Sequence, residues 1–290
     1  MLEQKYLTFI KVAQLGSYTK AAKQLFISQP AVSQQLTSLE NELGVKLFTY
    51  HNRQLKLTCE GEKLLTYVQS LKVQTDKFIT NLHHPSSLQT SLTIATTMSL
   101  ANEITPNIIA KIQANNTFTK LNCKIANTKL CLELVQAGKV DFALIEGNFP
   151  KEKFSSHIIT EEKFIPVCSP LLGLNAKQTY RFSDLLNYPI IYREAGSGSY
   201  NIFKAILASR NIAPSDFKFN YQVGSPTAIK ALLLKGLGIS FIYQTVAKHE
   251  LATKQLIPLK IENLNITHPI YLVYSKNSYF AKDYLNILGL

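Results

Sequence analysis

The 290-residue chain is long enough for about two ordinary domains with room for a small third one. Its apolar fraction of 46% and charged fraction of 17% are typical of a globular protein, and they exclude a largely disordered chain, a collagen-like chain and a coiled-coil rod. No apolar run reaches the roughly 18 residues that a membrane span needs, and the net charge of +12 favours an anionic partner without identifying it.

Cysteine usage and the first residues bear on the compartment. Cys59, Cys123, Cys131 and Cys168 show no CxxC spacing and are too sparse for a disulfide framework. The N-terminal residues lack the basic-then-apolar layout of a secretory signal. We therefore expect free thiols, more often buried than reactive, in a cytoplasmic protein.

The segment up to residue 27 predicts two short helices. Apolar residues recur at helical spacing from Tyr6 to Ala13, and Gly16 ends that pattern. Ser17 and Thr19 are suitable N-caps for a second helix that runs to Leu25. A short helix followed by an apolar turn is typical of the first half of a helix-turn-helix.

A third helix is predicted between Ser28, a suitable N-cap, and Gly44, which suits a left-handed C-terminal position. Its apolar stripe comprises Val32, Leu36, Leu39 and Leu43. The residues that point away from this stripe or flank it are Gln29, Pro30, Ser33, Gln34, Thr37 and Asn41. This face has no Lys or Arg, whereas a solvated helix usually carries Lys and Glu, and it suits hydrogen bonding to base edges in a major groove. A merely polar helix is the alternative, and the preceding helix and turn favour DNA binding over it.

The residues after Gly44 predict a hairpin with a basic tip. Residues 46–50 and 54–58 alternate apolar and polar side chains around the tip His51-Asn52-Arg53. The first 58 residues carry seven Lys or Arg and three acids, a net +4, so this segment is about twice as dense in positive charge as the rest. A wing that places Arg53 near phosphates explains this bias, and a solvated basic surface is the alternative.

These residues together resemble a known sequence pattern. The matching residues are Leu7-Thr8-Phe9, Gly16-Ser17-Tyr18-Thr19, Ala21-Ala22, Leu25, Ser28-Gln29-Pro30-Ala31-Val32-Ser33, Leu36, Leu39-Glu40, Leu43-Gly44-Val45-Lys46-Leu47-Phe48, Leu57-Thr58 and Gly61. The pattern resembles the winged helix-turn-helix of LysR-type transcriptional regulators over about the first 65 residues. Length and later segments are also similar to that family, so the resemblance spans the chain.

The resemblance implies that the helix from Gln29 reads the operator and that the wing contacts the DNA backbone or minor groove. The candidate DNA-binding residues are Lys20, Ser28, Gln29, Pro30, Ser33, Gln34, Thr37 and Arg53. Family members commonly have Arg where this chain has Gln34. Because Gln and Asn pair with adenine and Arg pairs with guanine, the sequence predicts half-sites biased to A·T. Phosphate contacts would then fall to Lys20, Lys23, Lys46, Arg53 and Lys56.

The connector from Glu60 to Leu82 predicts one long helix. Apolar or small residues alternate at spacings of four and three, at Leu64, Val68, Leu71, Thr75, Phe78 and Leu82. This is a heptad seam for pairing with a second copy, and a helix packed on its own chain is the alternative. The resemblance implies a dimer, which predicts a partly palindromic site, and a tetramer is expected beyond it.

The remaining two hundred residues predict an α/β domain, because short apolar strands alternate with helices. The predicted strands are 91–96, 121–126, 140–145, 164–168, 190–193, 217–223, 239–243 and 270–274. The predicted helices in its first part are 100–114 and one that Asn127 caps and Gly138 ends. Such alternation predicts parallel sheets that bind ligands at the carboxyl ends of the strands.

Hydroxyl and glycine residues follow several of these strands where a helix begins. Helix N-termini offer free N–H groups, so they can hold polar or anionic ligands, although N-capping explains any single case. Their recurrence favours one convergent cleft. The candidate effector-binding residues are Thr96, Thr97, Met98, Asn127, Thr128, Glu146, Ser197, Ser199 and Ser225.

This half resembles the LysR-type effector domain, which has the two-lobed fold of periplasmic binding proteins. The matching stretches are 141–147, 193–199 and 236–241. The resemblance implies a first lobe of about residues 89–164 and 268–290, and a second lobe of about 165–267, joined near 165–167 and 268–270. The expected effector is a small molecule, with an anion as one candidate class. Family members often have Thr-Arg where this chain has Ser199-Tyr200, and the missing Arg weakens the basis for an anion preference. The motifs are similar to the branch that governs sulfur and carbon assimilation.

The expected protein is therefore a non-enzymatic regulator of α/β class with a winged helix-turn-helix domain at 1–58, a linker at 59–88 and an effector domain at 89–290. The GxSxG, P-loop, HExxH and GxGxxG motifs are absent from the sequence. A solute-binding protein or small-molecule enzyme is the alternative, but it leaves the first 58 residues unexplained. The expected partners are double-stranded DNA, a small-molecule effector, a second copy of the chain and RNA polymerase, with no cofactor, metal or membrane.

Overall fold

The computed structural model describes residues 2–51, 54–82, 91–115, 119–276 and 278–290. The chain forms two compact units, Met1–Ser87 with Gln136–Lys139, and Leu88–Val135 with Val140–Leu290. The connector helix, which the sequence sets apart as a linker, folds with the first unit. Within the described residues no helix is both long and apolar enough to cross a membrane.

The first unit contains four helices and one hairpin among its described residues. They are α1 (Gln4–Leu15), α2 (Tyr18–Leu25), α3 (Gln29–Leu43), β1 (Phe48–His51), β2 (Gln54–Leu57) and α4 (Cys59–Leu82). The Oγ atoms of Ser17 and Ser28 accept hydrogen bonds from the N–H groups of Lys20 and Ala31, each at 3.3 Å. Ser17 and Ser28 are therefore confirmed as the N-caps of α2 and α3, whereas Thr19, the other predicted cap of α2, lies inside that helix.

The core of the first unit lies between the three short helices, the hairpin and the first turns of α4. Its buried residues are Phe9, Ile10, Val12, Ala21, Ala22, Val32, Leu36, Leu39, Leu47, Phe48 and Val68. Leu43, assigned to the apolar stripe of α3, is 38% exposed because it lies at the end of the helix. Gly44 follows with a φ of 67°, the left-handed conformation expected for it.

Helix α4 uses its apolar positions for two purposes. Val68 is 1% exposed and Leu64 packs against the same core, so these two positions of the predicted seam are taken up within the chain. The predicted seam is wrong at these two positions. Tyr67, Leu71 and Phe78 remain exposed, and Leu82 follows one turn later on the same side.

The second unit contains one nine-stranded sheet flanked by helices. The described strands of this unit, of which β7 and β12 form a separate pair, are β3 (Ser91–Thr97), β4 (Lys120–Ala126), β5 (Phe142–Glu146), β6 (Phe154–Cys168), β7 (Thr179–Tyr180), β8 (Pro189–Arg193), β9 (Phe219–Val223), β10 (Ile239–Tyr243), β11 (Ile257–Pro258), β12 (Lys260–Ile261) and β13 (Thr267–Ser275). Its helices are α5 (Ile104–Asn115), α6 (Thr128–Gln136), α7 (Gly198–Ala208), α8 (Pro226–Leu234), α9 (Lys248–Ala252) and α10 (Ala281–Leu288). The strand order is β4-β3-β5-β13-β6-β10-β8-β9, with β11 beside β6 and β7 paired separately with β12.

The sheet has two parallel halves joined by antiparallel strands. Strands β3, β4 and β5 are parallel, as are β8, β9 and β10. The long strand β6 pairs with β13 along its first part and with β10 from Phe164 onward, both antiparallel. The prediction of purely parallel sheets is therefore wrong at these crossing strands, since they belong to both lobes.

Two boundaries also differ from the expectation. The sequence predicted only residues 164–168 of β6, because the part of the strand before residue 164 is largely exposed and polar. Helix α5 begins at Ile104, because residues 98–103 form turns in which Leu100 N–H donates to the carbonyl of Thr97 at 3.0 Å. These turns follow the carboxyl end of β3 and form part of the cleft between the lobes.

Candidate DNA-binding surface and effector cleft

The polar face of α3 is on the surface of the first unit. Gln29, Pro30, Gln34 and Thr37 are exposed, and Ser33 is half-buried. A shallow groove follows this face and is lined by Gln29, Pro30, Ser33, Gln34, Thr37, Ser38 and Asn41. These side chains offer hydroxyl and amide groups and no formal charge. The structure therefore brings the predicted base-reading residues of α3 together on one accessible surface.

The opposite side of α3 fixes the helix to the rest of the unit. Thr8 of α1, which is fully buried, donates a hydrogen bond from its hydroxyl to Gln35 Oε1 at 2.6 Å. Glu40 Oε1 accepts a hydrogen bond from the backbone N–H of Leu47 at 2.8 Å, and Glu40 Oε2 pairs with Lys46 Nζ at 2.6 Å. Helix α3 is thus tied both to α1 and to the start of the hairpin.

The pKa of Glu40 reflects this environment. Partial burial alone would raise it, but the hydrogen bonds from Lys46 and from the backbone of Leu47 outweigh burial and hold the pKa below its ordinary value. The ionised carboxylate is therefore the form that fits the structure. Sequence analysis named Glu40 only as part of the family pattern, and it missed this structural role.

The candidate phosphate contacts differ in their surroundings. Lys20 and Lys23 on α2 and Lys56 on β2 are exposed. The charge of Lys46 is partly neutralised by Glu40, so it is a weaker candidate than the sequence suggested. The wing residue Arg53 lies outside the described residues.

A second groove lies between α2, the start of α3 and the hairpin. Its volume is about 570 Å³, and its lining comprises Gly16, Ser17, Tyr18, Thr19, Gln29, Tyr50, Gln54 and Leu55. Sequence analysis did not assign Tyr50 or Gln54 to the interface, because their approach to α2 depends on the hairpin. The groove adjoins the α3 face at Gln29, and its hydroxyl and amide groups can donate hydrogen bonds to a phosphate backbone.

Polar side chains of the second unit meet at the carboxyl ends of β3, β5 and β8, where the sequence predicts the effector cleft. The hydroxyl of Thr97, at the end of β3, donates a hydrogen bond to Glu146 Oε2, at the end of β5. Ser99 Oγ and Ser199 Oγ, from opposite lobes, lie 3.3 Å apart. The structure therefore brings together Thr97, Glu146 and Ser199. Sequence analysis had assigned these residues to one cleft without predicting their contacts.

Glu146 is a fully buried carboxyl group. Burial raises its pKa, and hydrogen bonds from Thr97 and Ser99 and the charge of Arg193 oppose that rise only in part. Burial also raises the pKa of Tyr243, and the charge of Glu146 adds to this effect. The hydroxyl of Tyr243 is buried without a hydrogen-bond partner among the described residues.

Arg193 is the principal cleft residue that sequence analysis did not single out. Its Nε and Nη2 atoms donate to the two carboxylate oxygens of Glu194 at 2.8 and 3.0 Å. Its Nη1 atom donates to Ser99 Oγ at 3.3 Å, and Nη2 lies 3.7 Å from Met98 Sδ. The signal in the sequence was an Arg at the last position of a buried strand, followed directly by a Glu.

The other predicted cleft residues have local partners. Thr96 Oγ1 lies 2.7 Å from Thr105 Oγ1 inside the first lobe, so its hydroxyl is engaged there. Thr128 Oγ1 accepts from the N–H of Gly198 across the cleft at 2.8 Å. Asn127, Ser197 and Ser225 cap helices α6, α7 and α8. N-capping therefore accounts for the side-chain oxygens of these three residues.

Two further observations concern metal ligands and thiols among the described residues. No group of three or more His, Cys, Asp or Glu side chains within the described ranges is arranged to hold a metal ion. Burial raises the pKa of Cys131 and of Cys168 to about 12, so both thiols stay protonated near neutral pH. Cys123 is half-buried and Cys59 is exposed.

Comparison with known proteins identifies the family. The family model described as a bacterial regulatory helix-turn-helix protein of the lysR family matches residues 4–62. The model described as the LysR substrate binding domain matches residues 85–282, about two thirds of the chain. The chain belongs to the LysR family of transcriptional regulators. It is therefore a DNA-binding regulator with an effector-binding domain, and the alternative of a solute-binding protein or an enzyme is set aside.

Relatives and solved structures of LysR regulators agree with this assignment. The transcriptional regulator CysL of Bacillus subtilis is 25% identical over 269 residues, covering 92% of this chain and 89% of CysL. The RuBisCO operon regulator of Allochromatium vinosum is 25% identical over 272 residues, covering 92% and 88% of the two chains. The structure of LysG from Corynebacterium glutamicum with its effector arginine has a TM-score of 0.70 at 18% identity, covering 99% and 96%, and supports the fold.

Proposed function

We propose that this LysR-family regulator reads its operator with the exposed polar face of α3. The observation that carries the proposal is the uncharged surface groove along α3, whose amide and hydroxyl groups are free to meet base edges. The proposed base-facing side chains are those of Gln29, Ser33, Gln34 and Thr37. Pro30 lines the same groove of the protein surface beside them. Since amide side chains pair with adenine, the preferred half-sites are biased to A·T.

The proposed backbone contacts surround this face. Ser28 fixes the start of α3 and places its N-terminal turn against the DNA, where helix N–H groups favour phosphate. Lys20 and the wing residue Arg53 are the proposed cationic contacts. The second groove, beside Ser17 and Tyr50, is the proposed path of one phosphate strand.

The proposed domain arrangement is a reading unit at 1–58, a linker at 59–88 and an effector domain at 89–290.

Two chains pair through the exposed apolar side chains of α4, namely Tyr67, Leu71, Phe78 and Leu82, which fall within an arc of about 60° on the helix. We call these four residues the α4 stripe. A dimer with two-fold symmetry reads a partly palindromic operator, and a tetramer and contact with RNA polymerase extend this proposal. The proposed location is the cytoplasm.

The proposed effector site is the cleft between the carboxyl ends of β3, β5 and β8. Thr97, Glu146, Ser99 and Ser199 line it, with Met98, Thr128, Ser197 and Arg193 beside them. Thr96, Asn127 and Ser225 are proposed to shape its walls through the contacts described above. Because Arg193 is already paired with Glu194 and Glu146 is buried, the charges do not favour an anionic effector. The effector group that reaches Glu146 is proposed to be a hydrogen-bond donor, such as an ammonium or a hydroxyl.

The proposed mechanism couples the cleft to the spacing of two reading units in the dimer. An effector changes DNA binding only to the extent that it binds one lobe arrangement more tightly than the other. Arginine, the effector named for LysG, combines an ammonium with a guanidinium and is therefore one suitable test compound for this cleft.

Gel retardation of the DNA upstream of the gene that encodes the chain tests the proposal. We expect a specific complex that resists competitor DNA and weakens steeply with salt, as phosphate contacts require. Equal affinity for unrelated DNA of the same length, at every salt concentration, would contradict a sequence-reading role.

A further inference from the structure

The two lobes of the effector domain contact each other through direct hydrogen bonds between protein groups. Gly198 N–H of the second lobe donates to Thr128 Oγ1 of the first lobe at 2.8 Å. Lys129 N–H of the first lobe donates to the carbonyl of Gly196 at 3.0 Å. Together with the Ser99–Ser199 contact, these hydrogen bonds join polar groups of the two lobes to each other at the proposed effector site.

The polar residues of this contact are shielded from solvent. Glu146 is 1% exposed, and Ser99, Arg193 and Ser199 are 6%, 4% and 4% exposed. A ligand cannot reach side chains that are buried to this extent unless the lobes part. The described arrangement is therefore a closed cleft, and the arrangement that admits an effector is more open.

Gly198 is the residue that allows the lobes to come this close. A Cβ atom at position 198 would lie 2.4 Å from the backbone oxygen of Glu146 and 3.0 Å from its carbonyl carbon. Backbone atoms cannot move aside as a side chain can, so an alanine here is incompatible with closure. The facing Gly147 is equally restricted, because its Cβ would lie 2.8 Å from the Cα of Gly198.

Arg193 adds a tether between the lobes. Its guanidinium is oriented by both carboxylate oxygens of Glu194, and from there it reaches Ser99 and Met98 of the first lobe. A bidentate Arg–carboxylate pair has fixed geometry, so Arg193 is held ready for this contact.

We propose that the effector domain closes on itself without an effector, through Gly198, Thr128, Ser99 and the Arg193 tether. The effector must open this self-closed state before it binds, and the closed population lowers its apparent affinity. This regulatory consequence rests on the proposed effector site. The self-closure itself does not depend on that site or on DNA binding.

Hydrogen exchange measured by mass spectrometry on the full chain without ligand or DNA tests self-closure. The reporters are the amides of Lys129 and Gly198, which donate across the cleft. In Gly198→Ala we expect both segments to exchange roughly tenfold faster or more, because the lobes no longer meet. Gly224→Ala is the matched control. Gly224 also follows a strand of the second lobe, its φ is not in the left-handed region, and a Cβ there meets only Glu194 Oε2, at 4.0 Å.

The amides of β5 monitor global folding. Fast exchange at the cleft with unchanged exchange in β5 supports self-closure, and unchanged exchange at both cleft segments overturns it. If Gly198→Ala also exposes β5, Ser99→Ala decides, since it removes the hydroxyl near Ser199 and Arg193 without adding volume. Slow cleft exchange in a folded Ser99→Ala chain then overturns the proposal, and faster exchange supports it.

Discussion

Glu40, near the end of the DNA-reading helix, accepts a hydrogen bond of 2.8 Å from the backbone N–H of Leu47, just before the wing. The carboxylate lies between helix α3 and the hairpin, and its side chain is 10% exposed. Leu47 is 1% exposed, so its N–H group depends on a protein partner. One acidic side chain therefore joins helix α3 and the hairpin, the two elements that are proposed to contact DNA.

We expect Glu40→Ala to lower the free energy of unfolding of the first unit by about 1–3 kcal/mol, because it leaves a buried N–H group without a partner. Denaturant unfolding of the full chain measures this loss. The control Glu42→Ala removes an exposed ion pair with Lys5 and should cost less than about 1 kcal/mol. Equal losses in the two variants would contradict the role of Glu40.

The acid side of the pH profile provides a second measure of Glu40. Its pKa is lowered in the folded chain, so its stabilisation is fully present above its ordinary value of 4.5 and is lost as the pH falls through the lowered pKa. The difference in stability between wild type and Glu40→Ala should therefore shrink below pH 4.5.

Glu146 predicts the opposite pH dependence for the effector domain. Burial raises its pKa, so above pH 4.5 the folded chain retains a proton that the unfolded chain has released, and stability falls as the pH rises toward the raised pKa. Glu146→Gln lacks this effect. We expect the melting temperature of the variant, relative to wild type, to increase as the pH rises from 4.5 to the raised pKa of Glu146 and then to level off. Glu161→Gln, at an exposed position of β6, is the matched control for the loss of one carboxyl group. A difference for Glu146→Gln that does not vary with pH would contradict the buried carboxyl.

The α4 stripe should control dimerisation. Leu71→Glu combined with Phe78→Glu is expected to raise the dimer dissociation constant roughly a hundredfold or more, because a buried carboxylate without a partner costs several kcal/mol. Sedimentation equilibrium measures this constant. Asp76→Ala changes the opposite face of α4 and should leave the constant unchanged. Dimers that persist unaltered in the double variant would place the interface elsewhere.

Sequence could predict the first unit closely because its signals are local. Ser28 and Gly44 mark the ends of α3 through caps within a few residues of themselves. The face of α3 follows from helical spacing alone. In the second unit, strand β10 was predicted at its observed bounds, since five consecutive buried residues follow a glycine.

Contacts between residues that are distant in sequence could not be predicted. The first half of β6 is polar and exposed, and it is a strand because it pairs with β13, more than a hundred residues later. The contact between Arg193 and Ser99 spans 94 residues and joins two different parts of the effector domain. Periodicity likewise could not tell which positions of α4 serve its own core, so Val68 was assigned to the dimer seam.

The polar face of α3 should carry most of the sequence specificity. Ser33→Ala combined with Gln34→Ala is expected to weaken specific DNA binding by about 1–3 kcal/mol per lost base contact, with little change in affinity for unrelated DNA. Fluorescence anisotropy with operator DNA and with unrelated DNA measures the specific and the non-specific affinity separately. Gln113→Ala removes an exposed glutamine of the effector domain and should leave both affinities unaltered. An equal loss on both DNAs would reassign Ser33 and Gln34 to phosphate contacts.

Selection of bound sequences from randomised duplex DNA by the full chain tests the central claim most directly, because it needs neither the effector nor the natural operator. The uncharged face of α3 predicts partly palindromic sites whose half-sites are rich in A·T pairs at the contacted positions. Recovery of G·C-rich half-sites, or of sequences without any shared motif, would contradict base reading by this face.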